Sequence, residues 1–264
     1  MANFISNQRT DCPRCGYKKS VASLPNGGFY CHSCSQVVGK GRSTATKAPK
    51  APQNPSAREW ASNLWDRASS LRLEGDFCPA RLYLHARHIA EYCDSPALRY
   101  LPDCKLTNPD RGFFPALIAK ISDQKGNLVG VQRIYLTADG RKNPADDAKK
   151  CLGQVQGGAV RLKEPTEDGE IVIGEGIETS AAAGLLLGKP AWAAVSAGNL
   201  GETLILPPKI KKIIIVADHD ATGLRAAESA CRRWKKERRE VEVKKPDEFD
   251  SDAADMLAEA AHEQ

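Results

Sequence analysis

"KIIIVADHDATG", residues 212–223, runs five apolar residues, Ile213 to Ala217, into an abruptly polar tip of Asp218, His219 and Asp220. A short apolar run rich in β-branched residues and closed by Asp and Gly reads as a buried strand. In open parallel α/β sheets, ligands gather beyond the carboxyl ends of the strands. Asp218 and Asp220 stand at such an end, one residue apart.

Two other stretches have the same form. "EIVIGEG" sets Glu175 just past an apolar strand, between Gly174 and Gly176. "EVEV" is followed by "PDEFDSDAADM", which holds Asp250, Asp252 and Asp255. Carboxylates crowded at one edge repel each other unless a cation holds them. Hard oxygen ligands suit Mg²⁺ or Mn²⁺. Any single one of these acids could be only a helix N-cap, and Asp220 or Ser251 fits that role. All three together favour metal.

After Gly169 strands and helices alternate: "EIVIGEG", "TSAAAGLLLG", "AWAAVSAG", "KKIIIVADHD", "LRAAESACRRWKKER", "EVEVKK" and "DAADMLAEAA". That order predicts an α/β fold with a mostly parallel sheet and helices on its faces. Before it, Ser56 and Glu59 form a capping box ahead of "WASNLWDRASSL", a helix start. "PARLYLHARH" is a second short helix. "FFPALIAKIS" and "NLVGVQRIYLT" pair as a hairpin over the turn "DQKGN", and the tail of "KKCLGQVQGGAVRL" is a further strand.

Cys12-x₂-Cys15 and Cys31-x₂-Cys34, fifteen residues apart, have the spacing of a two-knuckle zinc site. Four thiolates close the tetrahedron, so this zinc is structural. A piece this small has almost no core, and metal binding would fold it. Residues 39–57 carry no large apolar side chain and several prolines, the composition of a flexible linker. The domains are then 1–38 (a β zinc ribbon), 39–57 (linker), 58–168 (an α+β subdomain) and 169–264 (the parallel α/β part).

Of the nine cysteines, the other five (Cys78, Cys93, Cys104, Cys151 and Cys231) lack paired spacing. No apolar run reaches the ~20 residues of a membrane span. The N-terminal residues have no charged-then-apolar leader, so a reducing cytoplasm is expected. Up to Arg58 there are nine basic residues against Asp11 alone, net +8, which leaves −3 for the rest of a chain totalling +5. A basic front end suits a polyanionic partner, although a solvated basic tail has the same composition. Phe29 and Tyr30 could stack on bases or simply cover the zinc.

"GEGIETS", "VADHDATG" and "DSDAADML" together resemble the toprim domain of bacterial-type primases, topoisomerases and some nucleases. A zinc ribbon ahead of a toprim is similar to the bacterial and phage DNA primases, plasmid primases and the primase parts of primase–helicases included. "RGFFPALIAKISDQKGNLVGVQRIYL" and "KKCLGQVQGGAV" resemble the stretches between those two parts. The resemblance implies primer synthesis on single-stranded DNA from NTPs, with a replicative helicase as partner and no membrane. It assigns catalysis to Glu175, Asp218, Asp220 and Asp252, with Asp250 and Asp255 as further magnesium ligands. Arg111, Arg133, Lys149 and Lys150 would hold template and triphosphate, the choice between the two lysines staying open. No Walker loop is present, so no helicase motor is expected here. A toprim nuclease, or a non-catalytic zinc/toprim DNA-binding module of the recombination type, stays open as an alternative.

Overall fold

The computed structural model describes residues 21–23, 29–31, 36–37, 55–106, 112–144, 148–218 and 220–245. The chain divides into two units, Met1–Pro52 and Gln53–Gln264. In the first, β1 (Val21–Ser23), β2 (Phe29–Cys31) and β3 (Gln36–Val37) form an antiparallel sheet in that order. Val21 pairs with Cys31, and Tyr30 with Val37. Cys31 therefore ends a strand, while Cys12, Cys15 and Cys34 lie outside the described residues.

In the second unit α1 spans Pro55–Arg67. It starts inside the stretch expected to be linker, and Ser56 lies within its first turn rather than capping it. Proline favours the first helical turn because its φ is already helical and its missing N–H has no partner there anyway. α2 (Pro79–Ala86) follows, again with proline in its first turn.

Ten strands form the second sheet. β4 (Ser69–Ser70), β5 (Leu98–Lys105), β6 (Phe113–Ser122), β7 (Leu128–Tyr135), β8 (Lys149–Gly153) and β9 (Ala159–Arg161) precede the parallel part. That part comprises β10 (Glu170–Gly174), α3 (Ile177–Leu186), β11 (Ala191–Ala193), β12 (Lys212–Val216), α4 (Ala221–Lys236) and β13 (Glu240–Lys244). The order across the sheet is β13-β12-β10-β11-β9-β6-β5-β4, and β7 pairs with β6 and carries β8. β13, β12, β10 and β11 run parallel, as expected. The α+β part does not form a separate sheet. β9 pairs antiparallel with both β11 and β6 and makes one continuous sheet.

α3 lies against one face of the parallel strands and α4 against the other, which is why these strands are apolar throughout rather than alternating. Ile213, Ile214, Ile215 and Val216 are all buried. Each gains about 1.5–3 kcal/mol over an exposed position, so the strand tips rise from a well-packed core. On the antiparallel side α1 covers one face, where Trp65, Leu101, Ile118, Val131 and Tyr135 cluster. Leu117, Ala119 and Ile134 point to the other face, beside Tyr83 of α2 and Ile177 of α3. Among the described residues no helix is long and apolar enough to cross a membrane.

A candidate acidic site at the strand ends

Parallel register brings the acids to one edge. Ile173 of β10 pairs with Ile215 of β12, so Glu175 and Asp218 both lie two to three residues past that rung. Gly174 ends β10 because α3 packs against it: a Cβ there would meet Ser180 Oγ at 2.8 Å. Gly223, which closes the "VADHDATG" stretch, is needed for the same kind of reason. A Cβ at 223 would stand 2.5 Å from the carbonyl oxygen of Asp218. Only glycine allows α4 to start this close to the strand tip.

Asp220 is the N-cap of α4. Its Oδ1 accepts hydrogen bonds from the backbone N–H of Thr222 and of Gly223, both 2.7 Å. The capping role is therefore real, and it commits one carboxylate oxygen.

Glu175 is half-buried, and burial pushes its carboxyl above the ordinary range. The charge of Asp220 pushes the same way, while the Ala197 N–H and the Lys149 ammonium oppose it. The loop after β11 wraps this residue closely. Val195 N–H donates to the Glu175 carbonyl at 2.7 Å, from a left-handed backbone with φ 74°. A β-branched residue in that region is strained, and such strain collects at functional sites.

Asn199 ties this loop to the rest of the fold. It is 3% exposed, and its amide nitrogen donates to the carbonyls of Gly158 and Ala194, each at 2.8 Å. Its oxygen accepts from Gly157 N–H at 2.9 Å and from the Thr203 hydroxyl at 2.7 Å. The side chain is fully satisfied and joins the start of β9 to the end of β11.

A second constellation lies beside the acids. Glu178, in the first turn of α3 and 6% exposed, accepts hydrogen bonds from the Tyr83 hydroxyl and from Lys149. Lys149 Nζ is 2.9 Å from Oε1 and 3.0 Å from Oε2, and Lys142 Nζ is 3.8 Å from Oε1. Burial alone would raise the Glu178 carboxyl, but the Lys149 charge and the two donors outweigh it and hold the group well below the usual range. Burial lowers Lys142, and the like charges of Lys149 and Arg87 lower it further. Arg87 stands over the Tyr83 ring at 5.6 Å. Sequence reasoning missed Glu178, Tyr83, Lys142 and Arg87. The only trace of Glu178 was the second acid of "GEGIET".

The lysines of β8 part company. Lys149 pairs in register with Ile134, and Lys150 with Arg133. Cross-strand partners share a face, so Lys149 joins Glu178 while Lys150 and Arg133 lie on the α1 side. Arg133 is 8% exposed, and its guanidinium stands 5.7 Å from the Tyr135 ring. Its Nε is buried with no hydrogen-bond partner among the described residues. Of the three described bases expected to line one groove, Lys149 thus faces away from Arg133 and Lys150. Arg111, Asp250, Asp252 and Asp255 lie outside the described residues.

Among the described residues no three acidic, cysteine or histidine side chains come together as a metal cage. The oxygen chemistry of Glu175, Asp218 and Asp220 nonetheless fits a hard divalent cation. Acids delivered to one sheet edge are the donor type such an ion takes.

Two family models match the chain. Residues 170–263 match the Toprim domain, and residues 55–162 match a domain of unknown function, DUF7146. The C-terminal part is thus a toprim domain. Among solved structures, the catalytic core of the E. coli primase aligns at TM-score 0.52 and 14% identity, covering 76% of this chain and 75% of that one. A DnaG catalytic core aligns at 0.51 and 15%, covering 77% and 75%. The primase fragment of the bacteriophage T7 primase-helicase aligns at 0.47 and 17%, covering 98% and 96%. No curated protein matches the sequence significantly. The chain has the fold of the primase catalytic core and resembles the bacterial and phage-type DNA primases.

Proposed function

We propose that this chain is a DNA primase that makes short RNA primers on single-stranded DNA. The observation that carries the reading is the parallel register that delivers Glu175 and Asp218 to the carboxyl edge of a toprim sheet, with Asp220 capping the helix that follows. The reaction joins a 3′-hydroxyl to an α-phosphate and releases pyrophosphate, and it requires no covalent enzyme nucleophile. Glu175, Asp218, Asp220 and Asp252 would hold Mg²⁺ or Mn²⁺, with Asp250 and Asp255 as further ligands. Bound there, the metal lowers the pKa of the attacking hydroxyl and neutralises the leaving group.

The other steps belong to the chain's own side chains. Lys149 and Lys142 carry excess positive charge next to the acids and would bind the triphosphate. Arg133 and Lys150, on the α1 side, would hold template phosphates, as would Arg111. Arg133 is almost fully buried with its Nε unpartnered among the described residues, and a phosphodiester would satisfy that donor. Zinc on Cys12, Cys15, Cys31 and Cys34 would fold the N-terminal ribbon, which would contact the template. The product would serve a replicative helicase and its polymerase.

The test is direct. Purified protein, single-stranded DNA of mixed sequence, NTPs and Mg²⁺ should yield short RNA, and Asp218→Ala should yield none. Degradation of labelled DNA without NTPs would mark a nuclease instead. DNA binding with no metal-dependent chemistry would mark a binding module.

A further inference from the structure

Glu178 is an acid of the toprim region that cannot serve as a metal ligand in this arrangement. Both carboxylate oxygens are already taken, Oε1 by the Tyr83 hydroxyl and Lys149, and Oε2 by Lys149. Lys142 stands 3.8 Å from it as well. Two ammonium groups this close would repel a divalent cation.

The cluster draws on three parts of the chain. Tyr83 comes from α2, Lys149 from β8 and Glu178 from α3. Tyr83 is 2% exposed and Glu178 6%, whereas the Lys149 side chain keeps about a third of its surface (36%). The arrangement is a buried anchor with a cation held at its open end. Arg87, Lys142 and Lys149 outnumber the single carboxylate, so the outer end keeps a net positive charge. A free lysine samples many rotamers on its flexible stem. A charge-assisted bond to a fixed carboxylate removes that freedom before any ligand arrives.

We propose that Glu178, braced by Tyr83, is a positioning residue that holds Lys149 ready for the phosphates of the incoming nucleotide. This rests on the primase reading. Glu178 touches neither substrate nor metal and acts only through the lysine.

The test is a double-mutant cycle on the full chain, read as binding of Mg-ATP and of AMP by equilibrium dialysis. Glu178→Gln keeps the size of the side chain and removes its charge. It should weaken ATP binding about tenfold and leave AMP binding much less changed. Lys149→Met should weaken ATP binding at least as much, and the double variant should be no weaker than Lys149→Met alone. An equal further loss in the Lys149→Met background would overturn the proposal, because Glu178 would then act elsewhere.

If Glu178→Gln fails to fold by circular dichroism, Tyr83→Phe carries the test. It should weaken ATP binding to a smaller extent, and only while Lys149 is present. Unchanged ATP binding in Tyr83→Phe would then overturn the proposal. Should Lys149→Met bind ATP like the wild type, the positioning role falls while the primase reading stands. A wild type that binds no ATP sinks both.

Discussion

Glu178 of α3 and Lys149 of β8 stand 2.9 Å apart, one buried and the other at the rim, across 29 positions of sequence. The pair links the toprim part to the antiparallel strands that precede it in the chain. Its energetics have a definite pH sign. The Glu178 carboxyl sits lower in the folded chain than the ordinary Glu value, so its ionised form favours folding. That contribution is complete above the unfolded value of about 4.3 and is lost as pH falls below it. The melting temperature should therefore drop progressively between about pH 5 and pH 2. Glu178→Gln should melt lower at pH 7 and show a flatter acid limb in thermal scans. An equally steep limb in the variant would show that other groups carry the acid dependence.

Asp220 has two separable jobs. Asparagine caps helices about as well as aspartate, so Asp220→Asn should keep the bonds to Thr222 and Gly223. It should fold as well as the wild type yet lose most primer synthesis. Asp220→Ala should lose synthesis and, in addition, about 1 kcal/mol of stability. Chemical denaturation of both variants beside a primer assay separates the cap from the charge. A fully active Asp220→Asn would remove Asp220 from the catalytic set.

Arg133 should show a conflict between stability and function. Arg133 is nearly buried and its Nε lacks a partner among the described residues, a costly arrangement for which an apolar residue of similar length often does better. Arg133→Met should raise the unfolding free energy by about 1–2 kcal/mol and weaken binding of single-stranded DNA. Urea unfolding and fluorescence anisotropy measure the two effects. Loss of stability in this variant would show that the guanidinium serves the fold.

Asn199 is a structural bolt, so its removal should hurt folding first. Asn199→Ala strands the carbonyls of Gly158 and Ala194, the Gly157 amide and the Thr203 hydroxyl. A cost on the order of 2–4 kcal/mol follows from leaving several buried groups without partners. Denaturant midpoints check this. A loss under about 0.5 kcal/mol would mean that water replaces the side chain readily.

Much of the fold was readable residue by residue. The apolar run Ile213–Val216, the hairpin of β6 and β7 and the alternation from β10 to β13 all appear in the structure, while the last expected helix, "DAADMLAEAA", lies outside the described residues. β5 was missed because Pro102 interrupts "LRYLPDCK", and proline argues against a strand. The sheet accommodates it with a register shift between Leu101 and Cys104. "AVSAGN" was legible as a loop, but nothing in its composition announced the strained Val195 or the four bonds of Asn199.

From the sequence alone came the alternation of strand and helix and the delivery of Glu175, Asp218 and Asp220 to strand tips. These are local properties, written in the spacing of apolar residues and in the glycines that clear the backbone. Only the tertiary structure decided which lysine of β8 faces the acids and that Glu178 belongs to Lys149 and Tyr83. Those partners lie 29 and 95 positions away from it. Their meeting depends on how β8 registers against β7 and how α2 and α3 share one buried face, which no local period encodes.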